Sequence, residues 1–309
     1  MFSQYFGHYL LNRGLITKEQ LTDALEFQQS VHVKFGVIAV DEGYMTAVQV
    51  DEVHEKQKQV DKRFGEIAVE LGYLTNDQVD DMLSSQKQNH LLLAQALVDR
   101  EYMTIDAFSK ALNDYKKDYS LTDDKFEAIK SGDIDALVET LLDGKASTSK
   151  DFYKEYLSLF AKNLIRFVDD QVYLEFSGMN DGHLSDWYVY QEITGDSPLY
   201  TGVAANEDVF LYIASKYAEE DLAVVDELAQ ASVSEFLNLH NGIFLVNMSN
   251  KGIELNMKPQ SVVNEVSTKG VNADFLVTVS ISKGTFHLLL SEEPENVQIQ
   301  LKESNQQLV

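Results

Sequence analysis

The sequence has no cysteine among its 309 residues. Disulfide bonds and zinc sites built on thiolates are therefore excluded, and the composition fits the reducing environment of a cytoplasm. Basic residues are scarce as well, since 25 lysines and arginines face 50 aspartates and glutamates, for a formal net charge of -25. Because nucleic acid backbones and anionic membrane surfaces are bound through clustered cations, neither is expected as a partner.

Long apolar runs are also missing. No segment approaches the run of about eighteen apolar residues that a membrane-spanning helix needs. Residues 1–14 contain no basic stretch followed by an uninterrupted apolar one, which is the pattern of a secretory signal. We therefore expect a cytoplasmic protein without direct membrane insertion.

A repeat is present in the first third of the chain. A phenylalanine–glycine pair recurs every 29 residues, and a second glycine follows each pair seven positions later. The pairs are Phe6-Gly7, Phe35-Gly36 and Phe64-Gly65, and the later glycines are Gly14, Gly43 and Gly72. A fourth copy keeps Leu93 and Thr104 but has Glu101 where the glycine is expected. This periodicity is typical of a repeated supersecondary unit whose last copy has diverged.

Each repeat reads as two short helices. The later glycine ends the first helix, and a threonine followed three residues on by a glutamine begins the second. These start signals are Thr17 with Gln20, Thr46 with Gln49 and Thr75 with Gln78. We predict an all-α helical repeat domain at 1–117 and a helix and linker at 118–150, in which the polar tract 143–150 is the linker.

Residues 151–309 have a different texture, in which runs rich in aromatic and branched residues alternate with segments of helical spacing. We predict strands at 172–176, 187–190, 199–203, 252–257, 274–280 and 285–291, and helices at 152–167, 208–218 and 222–240. Turns of hairpin type join several of these strands. The prediction is therefore a two-domain α+β protein, whose second domain has an antiparallel sheet packed against helices.

The helix predicted at 222–240 carries an acid and an amide on one side. Glu235 and Asn238 are three residues apart, so they lie together on the face opposite the apolar stripe. The segment His240-Asn241-Gly242 is predicted to end the helix immediately afterwards. Since a Glu-x-x-Asn pattern is weakly specific, an ordinary solvated helix face is the plain alternative to a functional pair.

The residues after this pair extend the pattern. Asn238 and Gly242 form an Asn-x-x-x-Gly motif, and an apolar strand then leads into Pro259. With these features, residues 226–259 resemble the CheX/CheC family of response-regulator phosphatases. The resemblance implies an α/β domain with an antiparallel sheet, a homodimer, and a phosphorylated CheY-like response regulator as the partner.

The resemblance also implies a mechanism. Hydrolysis of an aspartyl phosphate needs a water held in line with phosphorus, while the Mg²⁺ of the regulator neutralises the phosphoryl oxygens. In this family pattern Asn238 would orient that water, and Glu235 would pair with the active-site lysine of the regulator. No metal or cofactor of the chain's own is then required.

One departure from the family pattern lies four residues before Glu235. Family members often have aspartate or serine there, whereas this chain has Ala231. The alternative interpretation is a non-catalytic signalling adaptor, which docks a receiver domain without hydrolysing its phosphate.

The front repeats have a spacing of Phe-Gly-x-x-Leu-x-x-x-Gly type, preceded by a cation in the second and third copies, at Lys34 and Arg63. In this they resemble the MshEN-type N-domain of secretion and pilus ATPases, in which tandem copies bind cyclic di-GMP. The resemblance implies a cyclic di-GMP site at Lys34, Phe35, Gly36, Gly43, Arg63, Phe64, Gly65 and Gly72. A helical docking module, whose glycines only stop helices, is the alternative.

Other catalytic patterns are absent from the sequence. The seven histidines show no metal-ligand spacing, and no nucleophile-elbow or Walker motif is present. A metal site and a hydrolase with its own nucleophile are therefore not expected.

Overall fold

The computed structural model describes residues 2–60, 62–85, 89–143, 149–177, 184–267, 275–297 and 300–301. The chain forms two compact units, Met1–Leu137 and Val138–Val309. The predicted boundaries at 117 and 150 remain predictions, and residues 144–148 of the predicted linker lie outside the described residues. Within the described ranges, no helix combines the length and apolar character needed to cross a membrane.

The first unit is built from helices. Their bounds are α1 Phe2–Asn12, α2 Lys18–Phe27, α3 Phe35–Asp41, α4 Ala47–Gln57, α5 Phe64–Glu70, α6 Asn76–Ser85, α7 Asn89–Asp99, α8 Ile105–Asp118 and α9 Asp123–Ser131. Helix α10, Ile134–Leu142, contains the division between the two units. A short 3-10 helix, Gln28–Ser30, follows α2.

The 29-residue period corresponds to helix pairs, α1/α2, α3/α4, α5/α6 and α7/α8. The second helix of the first two copies begins with a complete capping box, in which threonine and glutamine satisfy each other's backbone amides. In the third copy Thr75 and Gln78 exchange the same two hydrogen bonds. The helix starts predicted from the sequence are thus confirmed at Thr17, Thr46 and Thr75.

The glycines of each pair have different structural roles. A Cβ added to Gly36 would lie 2.5 Å from Cγ1 of Val50, and one added to Gly65 would lie 3.1 Å from Cγ1 of Val79. The first glycine of these repeats therefore lets the two helices of a pair approach closely. The later glycine, as at Gly72, has a positive φ of 74° with open space around its Cα. It ends the first helix in the left-handed conformation that glycine tolerates best.

Replacing Gly72 with alanine is expected to lower the free energy of unfolding by about 1 kcal/mol, because an L side chain is strained in the left-handed region. The fourth repeat provides the reciprocal control, since Glu101 adopts a φ of 58° at the equivalent position. Glu101→Gly is expected to be neutral or mildly stabilising. Urea unfolding measures the stability of Gly72→Ala and Glu101→Gly. Equal destabilisation by the two substitutions would contradict the role of the left-handed backbone at these positions.

The second unit combines helices with one sheet. The helices are α11 Lys150–Phe167, α12 Glu207–Ala218 and α13 Glu227–Ser249. The strands are β1 Tyr173–Ser177, β2 Leu184–Gly195, β3 Leu199–Ala205, β4 Leu255–Met257, β5 Ser261–Ser267, β6 Phe275–Ile281, β7 Gly284–Ser291 and β8 Gln300–Leu301. A second 3-10 helix, Pro294–Asn296, precedes β8.

Every strand pairing among these residues is antiparallel, in the order β1-β6-β7-β3-β2-β5-β8, with β4 also paired to β2. Helix α13 packs on β2 and β4 and contacts both α11 and α12. The predicted fold class is confirmed: an all-α helical region precedes a unit with an antiparallel sheet packed against helices.

This unit differs from the prediction in the bounds of α13 and in the two strands β5 and β8, which were not predicted. Helix α13 covers Glu227–Ser249 rather than 222–240, and the segment His240-Asn241-Gly242 lies inside it. Glycine within a helix costs about 1 kcal/mol, but Phe244 and Met248 extend the buried face beyond it and outweigh that cost. Strand β5 was not predicted, because serine, asparagine and glutamate interrupt its apolar residues.

Candidate functional site

Helix α13 has a defined start and a fully buried stripe. The side chain of Asp226 accepts a hydrogen bond from the backbone amide of Ala229, which caps the first turn. The stripe that faces the rest of the unit consists of Ala229, Val233, Phe236, Leu237, Phe244 and Met248. Leu228, the apolar residue before Ala229, is outside this stripe and 46% exposed. A helix anchored along such a stripe is a rigid support for the residues on its other face.

Glu235 and Asn238 lie side by side on the outer face of α13. Glu235 is exposed and Asn238 is half-buried. Nδ2 of Asn238 donates a hydrogen bond to Oε2 of Glu235 at 3.3 Å. Ala231, one turn earlier, is also exposed and contributes no polar group. The adjacency expected from the spacing is present, while the catalytic role of the two residues remains a prediction.

The amide of Asn238 is held from behind by strand β2. Nε2 of Gln191 donates to Oδ1 of Asn238 at 3.0 Å and to the backbone carbonyl of Lys258 at 2.8 Å. Gln191 itself is only 1% exposed. Asn238 therefore connects an exposed acid to a buried amide.

The polar contacts continue into the core from Gln191. Its Oε1 accepts from Nδ2 of Asn241 at 2.8 Å, and the same Nδ2 donates to Oγ1 of Thr201 at 3.0 Å. The hydroxyl of Tyr156 donates to Oδ1 of Asn241 at 2.9 Å. Burial raises the pKa of Tyr156 well above its usual value, so the hydroxyl remains neutral. We refer to Tyr156, Asn241, Thr201, Gln191 and Asn238 as the amide network.

His240 lies in the core beside this network. Its Nδ1 is 3.2 Å from Nδ2 of Asn163, and its ring packs edge-on against Tyr156 and Phe160. Burial lowers the pKa of His240 to about 3, because removal from water penalises the charged form of the ring. His240 is therefore neutral at physiological pH, and its Nε2 has no hydrogen-bond partner among the described residues.

The sequence analysis missed the interior members of the amide network. Gln191 lies on the same face of β2 as Val189 and Ile193, which are fully buried. A glutamine between Val189 and Ile193 on one strand face is the signal that could have drawn attention to it. Asn241 carried no such signal, because it was assigned to the end of a helix that in fact continues.

The cations predicted to bind cyclic di-GMP have different surroundings. Nζ of Lys34 is 2.7 Å from Oδ1 of Asp99, and its backbone amide donates to Oε1 of Gln95. Arg63 is exposed, and its backbone amide donates to Glu66 at 2.8 Å. Among the described residues no ion pair is recorded for the guanidinium of Arg63.

The remaining predicted ligand residues of the first unit have roles in helix geometry. Phe64, Gly36 and Gly65 are buried, and Phe35 is partly buried. Gly43 has a φ of 70° and ends α3 as Gly72 ends α5. Helix packing and termination thus account for these residues without a ligand. Cyclic di-GMP binding stays a prediction.

Two surface cavities of the second unit, of about 650 Å³ and 530 Å³, are not lined by Glu235 or Asn238. The first lies along α12 and the second lies beside the start of α11. Within the described residues, no cluster of three or more histidine, aspartate or glutamate side chains is arranged to hold a metal ion. Glu235 and Asn238 thus lie on a helix face outside both cavities.

No protein-family profile matches the sequence, and no curated protein matches it significantly. Solved chemotaxis proteins are similar over the C-terminal half of the chain. One is the CheX of Desulfovibrio desulfuricans, with 15% identity over 45% of this chain and 97% of that one, at a TM-score of 0.37. Another is the CheC-like protein of Shewanella sp. PV-4, with 18% identity over 45% and 96% and a TM-score of 0.37.

A third similar structure is the CheX–CheY–BeF3–Mg²⁺ complex from Borrelia burgdorferi. Its identity is 16% over 46% of this chain and 97% of that one, with a TM-score of 0.39.

Proposed function

We propose that the second unit is a phosphatase for the aspartyl phosphate of a CheY-like response regulator. The observation that carries the proposal is the placement of Glu235 and Asn238, which contact each other on the outer face of a firmly buried helix. The class of partner comes from the motif resemblance around these residues.

The proposed reaction needs only a positioned water from this side of the complex. The water oxygen forms a bond to phosphorus while the bond between phosphorus and the aspartyl oxygen breaks. Both water protons remain with the released inorganic phosphate, and the regulator regains a free carboxylate. Asn238 retains one hydrogen on Nδ2 and one lone pair on Oδ1 after its two internal contacts, and these groups are available to orient the water.

Glu235 is assigned a docking role. Its exposed carboxylate can form an ion pair with the lysine in the active site of a receiver domain, which would bring Asn238 next to the acyl phosphate. The Mg²⁺ that neutralises the phosphoryl oxygens is supplied by the regulator in this proposal.

The direct test follows the loss of radiolabelled phosphate from a phosphorylated regulator. Purified full-length protein is expected to accelerate the loss above the rate of the regulator alone. A rate equal to the control without protein, at saturating concentrations of a regulator that binds, would overturn the proposal.

Glu235→Ala is expected to raise KM for the phosphorylated regulator about tenfold, which corresponds to the loss of one close interfacial charge pair of about 1.4 kcal/mol. The value of kcat should change little, since Asn238 keeps its contact with Gln191. Steady-state kinetics measure both constants. Glu220→Ala, which removes an exposed charge elsewhere in the unit, serves as the matched control. Equal effects of the two variants would contradict the docking role.

The adaptor alternative is favoured by one observation. On the outer face of α13, this chain has Ala231 at the position one turn before Glu235, where family members often have a polar side chain. An adaptor would bind a beryllofluoride-activated regulator without accelerating phosphate loss. Binding without turnover would therefore support the adaptor.

A further inference from the structure

We propose that Gln191 is a positioning residue that holds the carboxamide of Asn238 in a single orientation. The catalytic consequence rests on the proposed function, whereas the orientation itself does not. On the buried side of the amide network, each hydrogen bond fixes which atom of the next side chain is the donor and which is the acceptor.

The orientation of Gln191 is determined by a backbone carbonyl. The carbonyl of Lys258 can only accept, so the group 2.8 Å from it must be Nε2 of Gln191. Lys258 is itself held against β2, because its backbone amide donates to the carbonyl of Glu192 at 2.9 Å. The adjoining residues continue this pairing, with Met257 opposite Ile193. The acceptor that orients Gln191 therefore lies directly after β4 and is held against β2 by the Lys258 amide.

The opposite end of the Gln191 amide is also restricted. Its Oε1 accepts from Nδ2 of Asn241, whose other contacts are Thr201 and Tyr156. Rotating the Gln191 amide by half a turn would place Nε2 against the Nδ2 donor and Oε1 against the carbonyl of Lys258. Both contacts would become repulsive within a buried site, where unsatisfied polar groups are costly.

The same reasoning extends to Asn238. Since Nε2 of Gln191 is a donor, the atom of Asn238 that faces it must be Oδ1. Nδ2 then faces the carboxylate of Glu235, which accepts only. The carboxamide is thus fixed at both ends, with its oxygen toward the core and its nitrogen toward the acid. Such prior orientation lowers the entropy lost when a water is aligned for attack.

Gln191→Met keeps a side chain of similar size but removes both donors. We expect kcat for the phosphorylated regulator to fall about 10- to 100-fold, because a misplaced group loses alignment, while KM stays within about twofold. The matched control is Tyr212→Phe, which removes a hydrogen bond of 2.8 Å to Asp169 elsewhere in the unit. It is expected to leave both constants unchanged.

A double-mutant cycle separates positioning from general damage. In an Asn238→Ala background, Gln191→Met should cause no further loss of kcat, because the group that it positions is gone. A second full loss in that background, or an unchanged kcat in Gln191→Met alone, would overturn the positioning role. If Gln191→Met does not fold, Gln191→Leu, which places no oxygen opposite the carbonyl of Lys258, takes its place.

A measurement independent of turnover keeps the proposal testable if the parent protein proves inactive. The Nδ2 NMR signals of Asn238 should show restricted side-chain motion in ¹⁵N relaxation of the parent, since Gln191 and Glu235 hold the carboxamide in one orientation. Gln191→Met should increase the motion that these signals report. Unchanged signals in Gln191→Met would overturn the positioning of Asn238 by Gln191. If the signals change but the parent protein has no phosphatase activity, only the proposed function is overturned.

Discussion

Asn238→Ala is expected to lower kcat for phosphate loss from a phosphorylated regulator about 100-fold, toward the rate of the regulator alone. Removing one group that orients or stabilises the reacting atoms typically costs a factor of this size. The affinity for the regulator should persist, because Glu235 remains exposed on the same helix. The substitution is not expected to unfold the unit, since Asn238 is only half-buried and Gln191 keeps its contacts with Lys258 and Asn241.

The matched control for this variant is Asn247→Ala. It makes the same chemical change on the same helix, nine residues further on, where the side chain points away from Asn238. Single-turnover assays at saturating protein separate the chemical step from binding. A parent-like rate for Asn238→Ala, or equal losses for both variants, would remove Asn238 from the reaction.

The second large effect concerns acid stability. The folded-state pKa of His240, about 3, lies below its ordinary value of 6.5, because the ring is completely buried. Below pH 6.5 the unfolded chain therefore binds a proton that the folded chain cannot. The free energy of unfolding is therefore unaffected by His240 above pH 6.5, and it decreases as the pH falls from 6.5 toward 3. At about 1.4 kcal/mol per pH unit, His240 alone should remove about 2 kcal/mol between pH 6.5 and 5.

Urea unfolding at pH 7 and pH 5 measures this effect in the parent and in His240→Gln. The only tryptophan, Trp187, lies on β2, so its fluorescence reports on the second unit specifically. The many carboxylates titrate in both proteins and cancel in the comparison. Glutamine carries no titrating group, so the variant should lose about 2 kcal/mol less than the parent over this range. Identical pH dependence in both proteins would contradict the buried neutral state of His240.

Features that depend on neighbours along the chain were predictable. The capping boxes at Thr17 and Thr46 and the left-handed glycine at Gly72 are local, because each involves residues within one or two turns. The adjacency of Glu235 and Asn238 is local for the same reason, since three residues on a helix span almost one turn. A repeat with a period of 29 residues amplified these signals by presenting them several times.

Features that depend on burial were misjudged. The segment His240-Asn241-Gly242 carries the residues of a helix end, yet α13 continues to Ser249 because its later apolar residues find a buried surface. Strand β5 forms through its partner β2 and not through an apolar pattern of its own. In both cases tertiary contacts override the local preference.

The amino-acid sequence by itself determined the helical repeats, their caps and the presence of an acid and an amide on one helix face. Only the tertiary structure decided that Gln191, 47 residues before Asn238, lies behind it and donates to it. The reason is that this contact depends on how α13 crosses the sheet and on the pairing of β2 with the segment at Lys258. Spacing along the chain carries information about contacts within one element, and packing alone brings residues of different elements together.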